Sequence, residues 1–154
     1  MREQTEQTTQ VEWSQTGSDC ASFNFRKASR AVTQLYDEAL APSGIRVTQF
    51  SILSIIHNRR SVTISELADV LVMDRTTLTR NLRLLEKQGF IATRVGEDRR
   101  QRVVSLTDHG RAVLAEAIPL WEKAQASFID RLGHEEWRRL RKQLSSAVEV
   151  ARRS

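Results

Sequence analysis

The segment spanning residues 74–102 constrains the fold more than any other part of the chain. It opens on Asp74, runs through leucines at helical spacing to Gly89, continues as a short apolar stretch, and turns at a tip crowded with arginines. Residues 75–102 carry eight basic side chains (Arg75, Arg80, Arg83, Lys87, Arg94, Arg99, Arg100, Arg102) against three acidic ones (Glu86, Glu97, Asp98), a net +5. The whole chain of 154 residues also nets +5, so everything outside the segment cancels. Positive charge gathered on one helix and one hairpin tip is the electrostatic footprint of a nucleic-acid binder.

The rest of the pattern is helical. Phe25, Ala28, Val32, Leu35 and Ala39 recur at helical spacing, which predicts a helix from Ala21 to Leu40 stopped by Pro42 and Gly44. Thr48 is expected to cap a second helix whose apolar face holds Ile52, Ile55 and Ile56. Thr63 and Glu66 have the spacing of a capping box, so a third helix starts there and runs to about Val72. Asp74 caps the fourth, which ends near Gly89. Residues 90–94 and 102–106 predict two strands around the loop VGEDRRQ. Thr107 caps a long fifth helix through about Leu132, with a kink expected at Pro119, and Gly133 breaks it. A last helix from His134 to about Arg152 places Trp137, Leu140, Leu144 and Val148 on one side.

A short-linked helix pair followed by a hairpin is a winged helix-turn-helix. The expected fold is therefore mainly α with a small β-hairpin wing. A winged helix-turn-helix lobe covers residues 47–106, helical dimerisation regions cover 21–46 and 107–154, and a polar, flexible arm covers 1–20. The dimer follows from burial. Phe23, Phe25, Leu35, Leu114, Ile118, Trp121, Phe128, Leu132, Trp137, Leu140 and Leu144 need partners that a small lobe does not supply. Pairing terminal helices across a two-fold axis gives them one, and a monomeric bundle packed on the lobe is the competing arrangement.

On a helical wheel, Leu78, Leu82 and Leu85 form a stripe that pins the fourth helix to its domain. Thr76, Arg80, Arg83 and Lys87 fall opposite, with Arg75, Thr77 and Thr79 on the flanks near the N-terminus. Arginine can bridge guanine O6 and N7, and threonine can meet a thymine methyl or a phosphate. At the hairpin tip, Asp98 is expected to orient an arginine by an internal ion pair. Arg100 is then the best candidate to enter a minor groove, where a narrow groove concentrates negative potential. Arg75, Thr76, Thr77, Thr79, Arg80, Arg83, Asp98, Arg99 and Arg100 are the candidate contacts to double-stranded DNA. The bland alternative for each is a solvated, soluble surface.

Other classes find little support. There is no nucleophile elbow, phosphate-binding glycine loop or recognisable carboxylate pair, so an enzyme is not expected. His57, His109 and His134 lie far apart and cysteine occurs once, so neither a metal site nor a cofactor is expected. No apolar run is long enough to span a membrane, the N-terminus lacks an apolar signal core, and one cysteine suits a reducing cytoplasm. A winged-helix module that binds protein without specific DNA binding remains a third class.

The run ISELADVLVMDRTTLTRNLRLLEKQGFI followed by GEDRRQRVVSLTDHGR resembles the MarR family of bacterial transcription regulators. The resemblance spans roughly residues 22–150 and is densest over 63–111, where Asp98, Arg99, Arg100, Leu106, Thr107, Gly110 and Arg111 match the family's pattern. It implies a cytoplasmic homodimeric regulator. The leading expectation is a repressor acting on a pseudo-palindromic operator and released by a small phenolic or lipophilic effector. It also implies an alternative, an oxidant sensor built on Cys20. In that branch of the family the reactive cysteine aligns with Ser22 rather than Cys20 when Arg30 and Tyr36 are matched.

Overall fold

The protein is described by a computed structural model covering residues 18–153. In chain order the elements are α1 (Ala21–Leu40), a 3-10 turn (Ala41–Ser43), α2 (Val47–Arg59), β1 (Ser61–Thr63), α3 (Ile64–Leu71) and α4 (Arg75–Lys87). Then come β2 (Ile91–Val95), β3 (Arg102–Leu106), α5 (Asp108–Leu132) and α6 (His134–Arg152). The described residues divide after Gln34 into two compact units, residues 18–34 and 35–153.

In the first unit, the Asn24 amide donates to the carbonyls of Ser18 (2.7 Å) and Cys20 (3.0 Å), which ties the start of α1 to the residues before it. Phe23, Phe25 and Val32 are exposed. Most of the arm expected over residues 1–20 lies outside the described residues.

In the second unit, the core gathers where α2, α3, α4 and the sheet meet the first half of α5. Leu53, Ile56, Leu67, Leu78, Leu85, Val104 and Leu114 are fully buried there. Each such aliphatic side chain contributes roughly 1.5–3 kcal/mol by leaving water. Phe50 of α2 stacks on Trp121 of α5 with ring centroids 5.6 Å apart, extending the core along α5. By contrast, α6 buries no residue.

Three expectations need correction. The wing hairpin belongs to a three-stranded antiparallel sheet in the order β1-β3-β2. The extra strand spans only Ser61–Thr63 and pairs Val62 with Val104, too short a run for sequence alternation to register. Helix α2 begins at Val47 rather than after a Thr48 cap. Asp37 accepts the Val47 N–H at 2.7 Å and the Gln49 side chain accepts the Arg46 N–H at 3.0 Å, so the first donors are satisfied one residue earlier. Strand β2 starts at Ile91, because Phe90 is used in the end of α4. There Gly89 adopts φ 76°, its N–H donates to Glu86 O, and the Phe90 N–H reaches back to Leu85 O at 3.0 Å, a Schellman termination.

The capping box at Thr63 forms as expected, with Thr63 Oγ1 accepting from the Glu66 N–H and Glu66 Oε2 accepting from the Thr63 N–H. Thr107 caps α5 through the Gly110 N–H at 3.0 Å. Helix α5 runs on through Pro119 and stops at Gly133, whose φ of 100° few side chains tolerate.

Candidate nucleic-acid interface

Helix α4 is positioned by two devices. Its inner stripe, Leu78, Leu82 and Leu85, is buried as the periodicity requires. Its N-terminus is fixed by Asp74, whose carboxylate accepts the Thr77 N–H at 2.8 Å and the Thr77 hydroxyl at 2.6 Å. These bonds hold the Asp74 carboxyl below its ordinary pKa, the Thr77 hydroxyl first and the Thr77 N–H next. Glu66 is likewise held low, chiefly by the Thr63 N–H and then by the Thr63 hydroxyl. Between α3 and α4 the chain turns through Val72, which occupies the left-handed region at φ 52°, ψ 45°. Its N–H and that of Met73 close the end of α3 on the Asp69 and Ala68 carbonyls.

The sequence candidates separate into two groups. Thr76, Arg80 and Arg83 are exposed and, with Arg75 and Thr79, line one open hollow on the outer face of α4. Three flank residues already have local tasks. Arg75 Nη2 donates to Ser65 Oγ at 2.6 Å, bracing the two helices of the pair against each other. The Thr77 hydroxyl completes the Asp74 cap, and the Thr79 hydroxyl donates to the Arg75 carbonyl at 2.7 Å. Their methyl groups, and the outer edge of the Arg75 guanidinium, are what remains for a ligand.

At the tip between β2 and β3, Arg99 and Arg100 are exposed. Asp98 acts differently from expectation. Its Oδ1 accepts the backbone N–H of Arg100 at 2.9 Å, and no Asp98–arginine ion pair forms among the described residues. A short Asp side chain folds onto the backbone two residues ahead more readily than it spans to a guanidinium. The Gln101 N–H donates to the Asp98 carbonyl at 2.8 Å and the Gly96 N–H to the Gln101 carbonyl at 3.0 Å, so the tip is a closed turn that carries both exposed arginines.

Sequence reasoning missed Ser65, the brace for Arg75, and Glu86, whose Oε1 accepts the Thr93 N–H of β2 at 3.1 Å. Glu86 carried a readable signal, being the one acid on the strongly basic α4. Among the described residues no group of three His, Cys, Asp or Glu could hold a metal ion, and no single helix is long and apolar enough to cross a membrane. Cys20 is a free, partly exposed thiol. Tyr36 is buried, donates to Gln125 Oε1, and has its pKa raised by that burial.

A capped basic helix packed behind a short partner helix, with an arginine-tipped wing beside it, defines a winged helix-turn-helix protein. The comparisons with known proteins agree. A family model, described as the MarR family, matches residues 45–101. An uncharacterised HTH-type transcriptional regulator of Bacillus cereus is 31% identical over 115 residues, which cover 75% of this chain and 77% of that one. The chain belongs to the MarR family, whose members are transcription regulators and not enzymes. Among solved structures, the M. tuberculosis transcriptional regulator MosR in complex with DNA is 40% identical, with a TM-score of 0.81 over 87% of this chain and 97% of that one. A cysteine-to-serine variant of E. coli MarR complexed with operator DNA is 25% identical, with a TM-score of 0.76 over 86% of this chain and 96% of that one.

Proposed function

We propose that the protein is a cytoplasmic repressor that binds a pseudo-palindromic operator as a homodimer. Helix α4 enters the major groove of double-stranded DNA and the β2–β3 tip follows the adjacent minor groove. The observation that carries this reading is the split of α4 into two faces. Leu78, Leu82 and Leu85 are buried on one, and Thr76, Arg80 and Arg83 are exposed on the other. Arg80 and Arg83 supply the bidentate donors that read guanine, and Thr76 the small amphipathic contact. Arg99 and Arg100 supply charge for a narrow groove, on a turn that Asp98 holds in shape. That MosR and MarR are each solved with DNA supports the same geometry for this chain.

The dimer is supported by apolar surface left open on the terminal helices. Ile118, Leu132, Leu144 and Val148 are exposed large hydrophobics on α5 and α6. Domain roles follow: residues 47–106 read DNA, and 21–46 with 107–154 dimerise. Release by a small phenolic or lipophilic effector follows the family resemblance. The test is a gel shift of DNA from upstream of the protein's own coding sequence, at fixed salt, with and without phenolic compounds and peroxide. Specific binding by the parent, lost in Arg80→Ala, is the expected result. Equal affinity for that DNA and for scrambled duplex would overturn the reading.

A further inference from the structure

Glu86 stands out because it opposes the charge of its surroundings. It is the one acidic residue on α4, on a helix that also carries Arg75, Arg80, Arg83 and Lys87. An exposed carboxylate on a polyanion-binding helix repels phosphate, so its presence calls for a compensating task. The structure supplies one. Strand β2 has β3 on one side only, and on its open side Glu86 Oε1 accepts the Thr93 N–H at 3.1 Å. A hydrogen bond from an edge strand to an ionised carboxylate is stronger than one between neutral groups. Thr93 lies two residues before the end of β2, where the tip bearing Arg99 and Arg100 begins.

We propose that Glu86 is a positioning residue that fixes the wing at a set angle to the recognition helix, so that Arg80 and Arg100 engage one DNA site together. This rests on the DNA-binding reading above. The carboxylate touches no DNA in this scheme; it acts through Thr93. Ile91, Val104 and Leu106 pack with the α4 leucines at the root of the β2–β3 ribbon. Beyond that root, Glu86–Thr93 is the hydrogen bond that ties the ribbon to α4 among the described residues. Without it the distal ribbon and its tip can swing. Electrostatics and positioning then make opposite predictions for Glu86→Ala. Deleting a negative charge from the interface raises affinity by electrostatics alone. Losing the anchor lowers affinity for the specific site while leaving non-specific binding unharmed.

The experiment measures specific and non-specific DNA affinity for Glu86→Ala, Glu86→Gln and Thr93→Pro, alone and combined with Arg100→Ala, with amide hydrogen exchange at residue 93 in the non-proline variants. Glutamine keeps the acceptor, and proline removes the donor at an outward-facing edge position that tolerates it. Glu86→Ala and Thr93→Pro should each weaken specific binding about fivefold, the size of one net hydrogen bond. Neither should weaken it further once Arg100 is gone. Glu86→Gln should bind at least as tightly as the parent. The Thr93 amide should exchange faster only in Glu86→Ala, at unchanged global stability. Specific binding by Glu86→Ala as tight as by Glu86→Gln, or an equal loss in the Arg100→Ala background, would overturn the proposal. A parent that binds no DNA specifically would instead remove the reading beneath it, whatever Thr93 exchange reports.

Discussion

Gly110 lies against the carbonyl of Phe90 so closely that a β-carbon on it would sit 1.9 Å from the Phe90 oxygen. The same oxygen accepts the Thr107 N–H at 3.1 Å, and the Thr107 hydroxyl donates to the neighbouring Gly89 carbonyl at 2.5 Å. Arg111 closes the group by donating to the Leu106 carbonyl at 2.9 Å. The end of α4, the root of the β2–β3 hairpin and the start of α5 therefore meet at one backbone crossing. The run Leu106, Thr107, Gly110, Arg111 is there for architecture.

Gly110→Ala should accordingly be among the most damaging single methyl additions in the chain. Backbone, rather than a flexible side chain, must give way, and overpacking of that kind costs about 2–3 kcal/mol. Denaturant unfolding should show the midpoint falling at unchanged slope. An alanine variant as stable as the parent would mean that α5 can slide away from Phe90 at little cost.

Val72 offers the reverse case. A β-branched residue in the left-handed region pays steric strain, and here the side chain is 54% exposed, so little burial compensates. Val72→Asn should keep the turn and raise stability by about 1 kcal/mol, since asparagine tolerates this conformation. Thermal unfolding should register a rise of about 2–4 °C. A lower midpoint would show that the valine methyls make contacts in the assembled regulator.

Acid should loosen the helix pair before the rest of the domain. Asp74 and Glu66 both have folded-state pKa values below their ordinary ones, because their ionised forms accept the cap hydrogen bonds. Their contributions are complete above the ordinary carboxylate range and are lost as pH falls through the lowered values. Asp74→Asn should thus be less stable than the parent near neutrality, with the gap narrowing below about pH 4. A gap that is constant down to pH 2 would assign the loss to geometry rather than charge.

The periodic and punctuated parts of this fold were legible in the sequence. Leucines at 78, 82 and 85 fixed which face of α4 is buried, and Thr63, Asp74 and Thr107 marked helix starts because a side-chain oxygen there has one obvious use. Contacts across the chain were not. Strand β1 is only three residues long and exists because Val62 meets Val104. Helix α2 starts at Val47 because Asp37, ten residues before it, takes the Val47 N–H. The candidate site divides the same way. The exposure of Arg80 and Arg83 follows from the wheel, whereas the diversion of Arg75 to Ser65 depends on groups that helical spacing does not bring together. The turn of Asp98 onto the Arg100 N–H is local, and was obscured by the arginines that offer Asp98 a rival partner.

The two arginine sets should separate in salt and sequence dependence. Arg80→Ala should weaken operator more than random duplex, by about 1–3 kcal/mol if the side chain makes a bidentate base contact. Arg100→Ala should reduce the salt slope by about one unit for each phosphate charge lost per half-site. Titrations at several salt concentrations on both DNAs distinguish them. Two variants indistinguishable from the parent at matched salt would move the interface elsewhere.

Operator geometry tests the assembly as a whole. Helix α6 buries none of its residues, and Leu144 and Val148 lie open along it, so a second copy of the chain is the natural cover for that stripe. A two-fold dimer presents one α4 per lobe, in opposite orientations. Two such helices fit successive major grooves on one face of the duplex when they are about 34–36 Å apart, which centres the half-sites about 10 bp apart. The wings then lie on the outer flanks, where Arg100 favours a narrow, A·T-rich minor groove. Footprinting should reveal a pseudo-palindrome with protected flanks, and light scattering at low micromolar concentration should give about twice the 17.6 kDa chain mass. Inserting about five base pairs between the half-sites rotates one of them by half a turn and should abolish tight binding. Affinity unchanged by that insertion would mean that the lobes read DNA independently, and the rigid two-fold arrangement would have to be abandoned.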